Sequence, residues 1–139
     1  MSDFPVLDTA ASGLHTNRVW MDAIADNIAN ADTVRPYDQP AFQARYIVAT
    51  SIRGDNNDPV GVGGGSAPTA VLFGDSQGIV KSDPGNPMAN KDGLVRMPDI
   101  DMGDQMTQLI EAQRSYEMNL AVIDRARDAY LQALNITGR

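Results

Sequence analysis

The chain has 139 residues, of which 42% are apolar, so it is long enough to fold as one domain around a modest core. Its 18 acidic residues outnumber 11 basic ones, and the resulting net charge of −7 argues against nucleic-acid binding, because a phosphate backbone would repel it. Cysteine is absent, which excludes disulfides, thiolate nucleophiles and thiolate metal sites.

No segment approaches the roughly 18 consecutive apolar residues that a membrane-spanning helix requires, so we expect no direct membrane span. The N-terminal segment carries Asp3 and Asp8 before any basic residue and has no continuous apolar run. We therefore expect no cleaved secretory signal.

Residues 6–31 have the apolar spacing of one long helix. Pro5 suits its first turn, where a missing N–H would be unpaired anyway, and Pro36 prevents the helix from continuing. Two heptad positions form a mostly apolar stripe, or seam: Leu7, Leu14, Met21 and Ile28 at one, and Ala10, Asn17, Ile24 and Ala31 at the other. Asn17 interrupts this seam, where it either fixes the register of a helix pair or lies at a solvated edge.

Val19 and Trp20 lie off the seam and give the same helix a second apolar patch. A simple two-helix pairing would leave this patch in water. Two interpretations stay open: the patch meets a further partner, or Trp20 covers the middle segment of its own chain.

Residues 103–134 repeat this helical design. Asp101 is placed to cap the start of the helix, and Gly138 is a natural terminator. The seam residues are Leu109, Tyr116, Ile123 and Tyr130 at one heptad position, and Met106, Gln113, Leu120 and Leu134 at the other. The two helices would be about 40 and 48 Å long, which favours a two-helix coiled coil over the short helices of a small globular domain.

The segment between the helices has the patterns of short strands and turns. Residues 42–52 alternate with a period of two, which predicts a strand. Gly, Asn, Asp and Pro residues crowd residues 54–68, which predicts a turn or a flexible loop. Residues 69–73 and 78–81 are short β-like runs, so we expect a hairpin return, and residues 83–93 should be irregular.

These patterns predict an α+β fold, in which long N- and C-terminal helices form an antiparallel-type coiled-coil pair beside a small central β-hairpin and irregular region. Residues 1–35 and 99–139 would form one discontinuous helical domain, and residues 36–98 the central segment. The best core material is divided between the two ends, so neither helix can bury its seam alone.

No catalytic or metal site is predicted. His15 is the only histidine, so it lacks a second imidazole for a metal site, and no Ser-His-Asp pattern can be built around it. Asp99 and Asp101 have no recognisable cation or ligand set that would give paired carboxylates a task. Residues 55–58 lack EF-hand spacing, and residues 61–65 lack the Lys-Ser/Thr of a phosphate-binding loop. We therefore expect no cofactor and no enzymatic activity.

Two short polar stretches stand out from the rest of the helices. Asn27 and Asn30 lie three residues apart and therefore on one helix face, where amides can bond to exposed carbonyls or to a neighbouring chain. Arg114 offers a planar fork of donors three residues before Glu117, on the neighbouring turn. An ordinary charged helix face is the simpler interpretation of this second stretch.

Together the two stretches resemble the terminal signatures of the axial proteins of the bacterial flagellum. The N-terminal pattern of that family, Asn-Leu-Ala-Asn-x-x-Thr, is matched by Asn27, Ile28, Ala29, Asn30 and Thr33. The C-terminal pattern, Arg-Ser-Tyr-Glu-x-Asn, is matched by Arg114, Ser115, Tyr116, Glu117 and Asn119.

Within that family, residues 83–101 resemble the proximal-rod members. Their usual form is Asp-Pro-Gly-His-Pro-x-Ala, followed by Gly-Tyr-Val-x-x-Pro-Asn-Val. This chain has Asn86 in place of the His, Leu94 in place of the Tyr, and Asp-Ile at 99 and 100 in place of Asn-Val. Residues 51–80 match the family poorly.

The resemblance implies a structural subunit of the rod, which crosses the periplasm and carries torque from motor to hook. It implies export through the flagellar type III apparatus, and partners that are other copies of the chain and other flagellar rod proteins. It also implies that the ends of a free subunit are disordered and become helical on assembly, which agrees with a seam divided between the two ends.

We expect the assembly surface to lie on the two terminal helices and their signature residues: Leu7, Leu14, Trp20, Met21, Ile24, Asn27, Ile28, Asn30, Thr33, Leu109, Arg114, Tyr116, Glu117, Asn119, Leu120, Ile123 and Tyr130. Two alternatives stay open. One is another rod subunit, against which the Pro/Gly-rich stretch at 83–98 argues. The other is a non-flagellar adaptor that binds one partner through an amphipathic helix.

Overall fold

The computed structural model describes residues 5–53 and 64–137. Two helices flank five strands in the order α1 (Pro5–Asn30), β1 (Arg35–Pro36), β2 (Arg45–Ile52), β3 (Gly65–Phe73), β4 (Ile79–Ser82), β5 (Leu94–Met97) and α2 (Met102–Thr137). The α+β prediction with long terminal helices and a small central β region is confirmed. Neither of the described helices is apolar enough over a sufficient length to cross a membrane.

Side chains define the helix boundaries. The described part of helix α1 begins at Pro5, and near its end the Asn30 Nδ2 donates a hydrogen bond to the carbonyl oxygen of Asp26 (2.8 Å). Before α2, the Asp101 Oδ1 accepts bonds from the backbone N–H groups of Gly103 (2.7 Å) and Asp104 (3.1 Å). Asp101 is therefore the predicted N-cap. The expected terminator, Gly138, lies outside the described residues.

The seam predicted for α1 is confirmed. One of its heptad positions is buried throughout: Ala10, Asn17, Ile24 and Ala31. The other is half-buried: Leu7, Leu14, Met21 and Ile28. Asn17 Nδ2 donates to Ser115 Oγ (2.9 Å), which favours the register-fixing interpretation over the solvated edge. Asn27 bonds to Gln105. Compared with the Asn17–Ser115 contact, this contact lies later in α1 but earlier in α2, so the two helices are antiparallel.

One of the two seam positions predicted for α2 is wrong. Its residues are exposed: Met106, Gln113, Leu120 and Leu134. The preceding heptad position faces α1 instead, where Gln105 and Ala112 are buried and Asn119 is half-buried. Space is the reason, since a Cβ added at Gly13 would lie 2.8 Å from Asn119 Nδ2. The helices approach so closely that small and polar side chains fill the gap, and the large apolar ones point outwards.

Two small antiparallel sheets connect the helices. Strands β2 and β3 form a hairpin whose register shifts between Val48 and Ala49, and β1, β5 and β4 form a three-stranded sheet in that order. The predicted hairpin is confirmed, but β3 already begins at Gly65, so residues 65–68 are strand and not loop. The remainder of the predicted loop, residues 54–63, lies outside the described part of the chain.

Strands β1 and β5 were not expected from the sequence. Each is short, with two and four residues, and β1 contains Pro36. A proline is tolerated there because β1 is an edge strand that pairs only with β5 within its sheet. No strand on its other side needs a hydrogen bond from the missing N–H. Strand β5 pairs with β1, about 60 residues away, and with β4, 12 to 18 residues away, and no local pattern indicates either pairing.

The described core contains few large side chains. Its buried apolar residues are mostly alanines: Ala10, Ala23, Ile24, Ala31, Ala41, Ala44, Val95 and Ala112. Leucines, methionines and aromatic residues lie instead at half-buried or exposed positions. The chain therefore buries little apolar area within itself and presents much of its apolar surface to the outside.

Candidate functional site

Helix α2 carries exposed apolar side chains along its length, on its flanks and on the side away from α1. We call these residues the outer surface of α2: Met106, Ile110, Met118, Leu120, Val122, Leu131 and Ile136. Met118 is 65% exposed and Ile136 is 77% exposed, although large apolar residues of a stable monomer are usually covered. Ile110, Arg114 and Met118 also line a groove of about 450 Å³ on this helix.

The two helices differ in length, so α2 extends beyond α1. With Asn17 opposite Ser115 and Asn27 opposite Gln105, Pro5 lies level with about residue 127 of α2. Every residue from 127 to 136 is exposed. About 15 Å of α2 therefore extends past the described start of α1.

The predicted assembly residues are spread over three environments. Ile24 and Asn27 are buried inside the chain. Those half-buried along the helix pair or at its ends are Leu7, Leu14, Trp20, Met21, Ile28, Asn30, Thr33, Leu109, Tyr116, Asn119 and Ile123. The exposed ones are Arg114, Glu117, Leu120 and Tyr130. Both interpretations of Trp20 remain compatible with its partial burial.

The N-terminal signature joins three elements. Asn27 is 1% exposed, and its Nδ2 donates to the Arg45 carbonyl oxygen at the start of β2 (2.9 Å) and to Gln105 Oε1 of α2 (3.0 Å). Its Oδ1 accepts a bond from the Arg45 backbone N–H (2.8 Å). At the end of α1, Thr33 Oγ1 donates to Oδ1 of Asn30, three residues before it (3.3 Å), and this bond closes the turn after the helix. These amides hold the chain's own fold in place.

The C-terminal signature divides between the inside and the outside of the helix pair. Ser115 accepts the bond from Asn17, and Asn119 packs against Gly13. Arg114 and Glu117 are exposed, and no ion pair joins them in the described structure. Both exposed side chains are therefore open to contact with another molecule.

A row of hydroxyl groups on α1 was missed by the sequence reasoning. Thr9 Oγ1 donates to the Gly64 carbonyl oxygen (2.5 Å), and Ser12 Oγ accepts from the Ser66 N–H (3.1 Å). Thr16 Oγ1 donates to the Ser66 carbonyl oxygen (3.1 Å). Their spacing of three and four residues, which puts them on one helix face, is the signal that could have indicated a contact. These bonds hold the β2–β3 hairpin against α1.

A cleft of about 700 Å³ lies between the two helices and the hairpin. Its polar lining consists of hydroxyl and amide groups: Thr9, Asn17, Ser51, Ser66, Ser115 and Asn119. The described lining has no carboxylate, histidine, lysine or arginine, so it offers no general acid or base. His15 is exposed on α1, and the described residues contain no cluster of three or more potential metal ligands.

Two family models match the chain at its two ends. The model described as flagella basal body rod protein matches residues 7–36, which comprise most of α1 and all of β1. The model described as flagellar basal body rod FlgEFG protein C-terminal matches residues 91–136, which include β5 and nearly all of α2. The matched segments are those that build the helix pair and the edge of the three-stranded sheet.

Full-length relatives give the same assignment. The flagellar basal-body rod protein FlgC of Bacillus subtilis is 30% identical over an alignment of 148 positions, gaps included, which covers 98% of this chain and 99% of the relative. FlgC of Agrobacterium fabrum is 32% identical over 129 residues, with 91% and 89% covered. FlgC of Escherichia coli O157:H7 is 29% identical over 131 residues, with 94% and 95% covered. The chain therefore belongs to the FlgC family of flagellar basal-body rod proteins.

Proposed function

We propose that this chain, a structural subunit of the flagellar basal-body rod, occupies the proximal rod and assembles there with copies of itself and with other rod proteins. Its terminal helices make the contacts between subunits, and those contacts transmit torque from motor to hook. The subunit reaches the rod, which crosses the periplasm, through the flagellar type III export apparatus. It acts mechanically and catalyses no reaction.

The observation that carries the proposal is the outward-facing apolar surface of α2. Protein interfaces that form permanently are rich in apolar side chains, and a long helix with such residues on its free side suits packing against neighbouring helices. The small, alanine-rich core supports the same view, because few large apolar side chains of the described residues are fully buried within the chain. Contacts between subunits would bury the others.

The tie between helices and sheets suits a part that bears load. Asn27 bonds to both β2 and α2, and Asn17 bonds to α2 at a second point along the helix pair. A force applied to either helix is therefore passed to the other helix and to the hairpin. Many such contacts, repeated in each subunit, would carry torque without one dominant site.

Charge placed on the outer surface of α2 is expected to abolish assembly. In the source bacterium lacking its own copy, the unchanged gene should restore motility, whereas the double variant Ile110→Glu/Met118→Glu should not. Both residues are exposed, at 52% and 65%, so the isolated fold should survive, and far-UV circular dichroism of the purified variant checks this. Burying two carboxylates at an apolar interface costs several kcal/mol, so roughly a thousandfold loss of binding is expected.

Gln39→Glu/Thr50→Glu is the matched control, since it adds the same two negative charges at exposed polar positions outside α2. It should swim normally. Full motility of the double variant, with normal amounts of it in isolated basal bodies, would refute a role for this surface in assembly.

Hydrogen exchange on the free chain should show a gradient along the helix pair. Amides near Asn27 and Gln105 lie in the bonded end of the pair, whereas residues 127–136 are exposed throughout. We expect the latter to exchange freely in a proven monomer and to become protected in isolated basal bodies, because neighbouring subunits order them. Strong and equal protection of both ends in the monomer would contradict folding that is completed on assembly.

A further inference from the structure

The outer face of the three-stranded sheet carries two arginines side by side. Arg35 of β1 lies directly opposite Arg96 of β5, and Arg96 lies directly opposite Val80 of β4. Directly paired residues of antiparallel strands point to the same side of the sheet. Val95, the neighbour of Arg96 in the strand, is fully buried, so Arg96, Arg35 and Val80 face away from the core.

This arginine pair has no counter-charge within the described chain. Arg96 Nη1 donates to Gln77 Oε1 (2.8 Å), its guanidinium carbon lies 5.3 Å from the centre of the Tyr37 ring, and its buried Nε has no hydrogen-bond partner. Neither Arg96 nor Arg35 forms an ion pair with a carboxylate of the described residues. Like charges directly opposite each other destabilise a sheet, so a carboxylate from outside would remove a real cost.

The composition of this face is that of a protein interface. Arginine and tyrosine are enriched where subunits meet, and Val80 adds an exposed apolar side chain beside them. A guanidinium binds a carboxylate through two parallel hydrogen bonds, which gives orientation as well as attraction. The partner must therefore supply carboxylates together with apolar surface.

Helix α2 of the same chain supplies both, near its far end. Asp124 and Asp128 are one turn apart on one face, both are exposed, and neither forms an ion pair among the described residues. Leu131 is exposed on a neighbouring line of the helix. Side chains four residues apart on a helix are separated by about 5–6 Å at Cβ, close to the 4.5–5.5 Å between directly opposite strand residues. The two arginines and the two aspartates thus match in spacing and in charge.

The arginines cannot reach these aspartates within one subunit. Strand β5 immediately precedes the start of α2, whereas Asp124 lies roughly 30 Å further along that helix. One surface lies at one end of the subunit and its complement at the other. A contact of this kind joins subunits head to tail and continues into an open filament unless the rotation closes a ring.

We propose that the outer face of the β1–β5–β4 sheet binds α2 of a second copy of this chain, with Arg35 and Arg96 paired to the partner's Asp124 and the partner's Asp128. The proposal rests on the chain's proposed function as a rod subunit and names one of its contacts. The exposed carboxylates of Asp124 and Asp128, which match the arginines in charge and spacing, favour a copy of this chain as the partner.

A charge swap in assembled basal bodies tests this contact. The double variants Arg35→Asp/Arg96→Asp and Asp124→Arg/Asp128→Arg should each lower the amount of the chain in basal bodies by about tenfold or more. The quadruple variant, which exchanges the charges, should restore incorporation to within about twofold of the unchanged chain. Lys91→Asp, an exposed charge reversal in the turn before β5, is the control and should incorporate normally.

Rescue by the quadruple variant cannot arise from a loss of folding, since it carries all four substitutions. Normal incorporation of either double variant, or failure of the quadruple variant, would overturn the contact while the unchanged chain still enters basal bodies. A photo-crosslinking residue at Tyr37 should join two copies of the chain, and a crosslink to a different rod protein instead would also overturn it. Absence of the unchanged chain from basal bodies would remove the rod function and this contact together.

Discussion

Replacing Asn27 with alanine is expected to lower the free energy of unfolding of the purified chain by about 3 kcal/mol. The substitution removes three hydrogen bonds from a side chain that is 1% exposed, and it leaves the Arg45 backbone N–H and carbonyl and the Gln105 amide without partners. A buried polar group that loses its partner costs about 1–3 kcal/mol, so the sum is large. Urea unfolding followed by far-UV circular dichroism measures it.

Asn30→Ala is the matched control, because Asn30 is only half-buried and its side chain bonds locally at the end of α1. It should cost about 1 kcal/mol or less. A double-mutant cycle of Asn27→Ala and Gln105→Ala should give non-additive changes in the free energy of unfolding, since the two side chains are hydrogen-bonded to each other. Equal and small effects of both asparagine variants would show that the shared tie between α1, β2 and α2 does not stabilise the fold.

Gly78→Ala is expected to be about as damaging, with a loss of roughly 3 kcal/mol and a fall in Tm of about 10 °C. Gly78 has a φ of 55°, in the left-handed region that a side chain disfavours. A Cβ there would overlap the Met97 carbonyl oxygen and lie 2.7 Å from the Ala41 Cβ. Backbone on one side and a buried alanine on the other leave no direction in which the methyl group can move.

Gly85→Ala provides the comparison, since an added Cβ at Gly85 meets nothing within 4 Å. Its Tm should stay within about 2 °C of the unchanged chain. Differential scanning calorimetry of both variants measures the difference. A Gly78→Ala protein as stable as Gly85→Ala would mean that the start of β4 can move away from β5 without cost.

The two stability predictions concern one end of the helix pair, and the motility and hydrogen-exchange predictions concern the exposed surface and extension of α2. Asn27 and Gly78 lie near the end of the helix pair where both sheets attach. The exposed extension of α2 and its outer surface lie further along the helix. Under the proposed function, such a subunit would keep a defined end while it is alone and would complete its second end against neighbours.

Periodicity predicted both helices, the first strand and the α1 seam, while residue type predicted the Asp101 cap and turn composition predicted the hairpin. It succeeded for α1 because Ala10, Ile24 and Ala31 face one side only, so the apolar spacing repeats the geometry of the contact. The signature residues were also recognisable from sequence, because Asn is unfavourable within a helix and two such residues require a reason. Their position in a family of rod proteins followed from the same residues.

The closest approach of the helices and the short strands depended on packing between distant segments. In α2, Gln105 and Ala112 occupy the contact while Met106 and Leu120 face outwards, because the narrow gap beside Gly13 admits small and polar groups. A pattern of apolar residues shows which side chains seek cover, but it does not show whether the cover comes from the same chain or from another. Strand β1 pairs with β5, about 60 residues further along the chain, and this pairing places the two arginines side by side. Pairing at that range leaves no periodic trace in either segment.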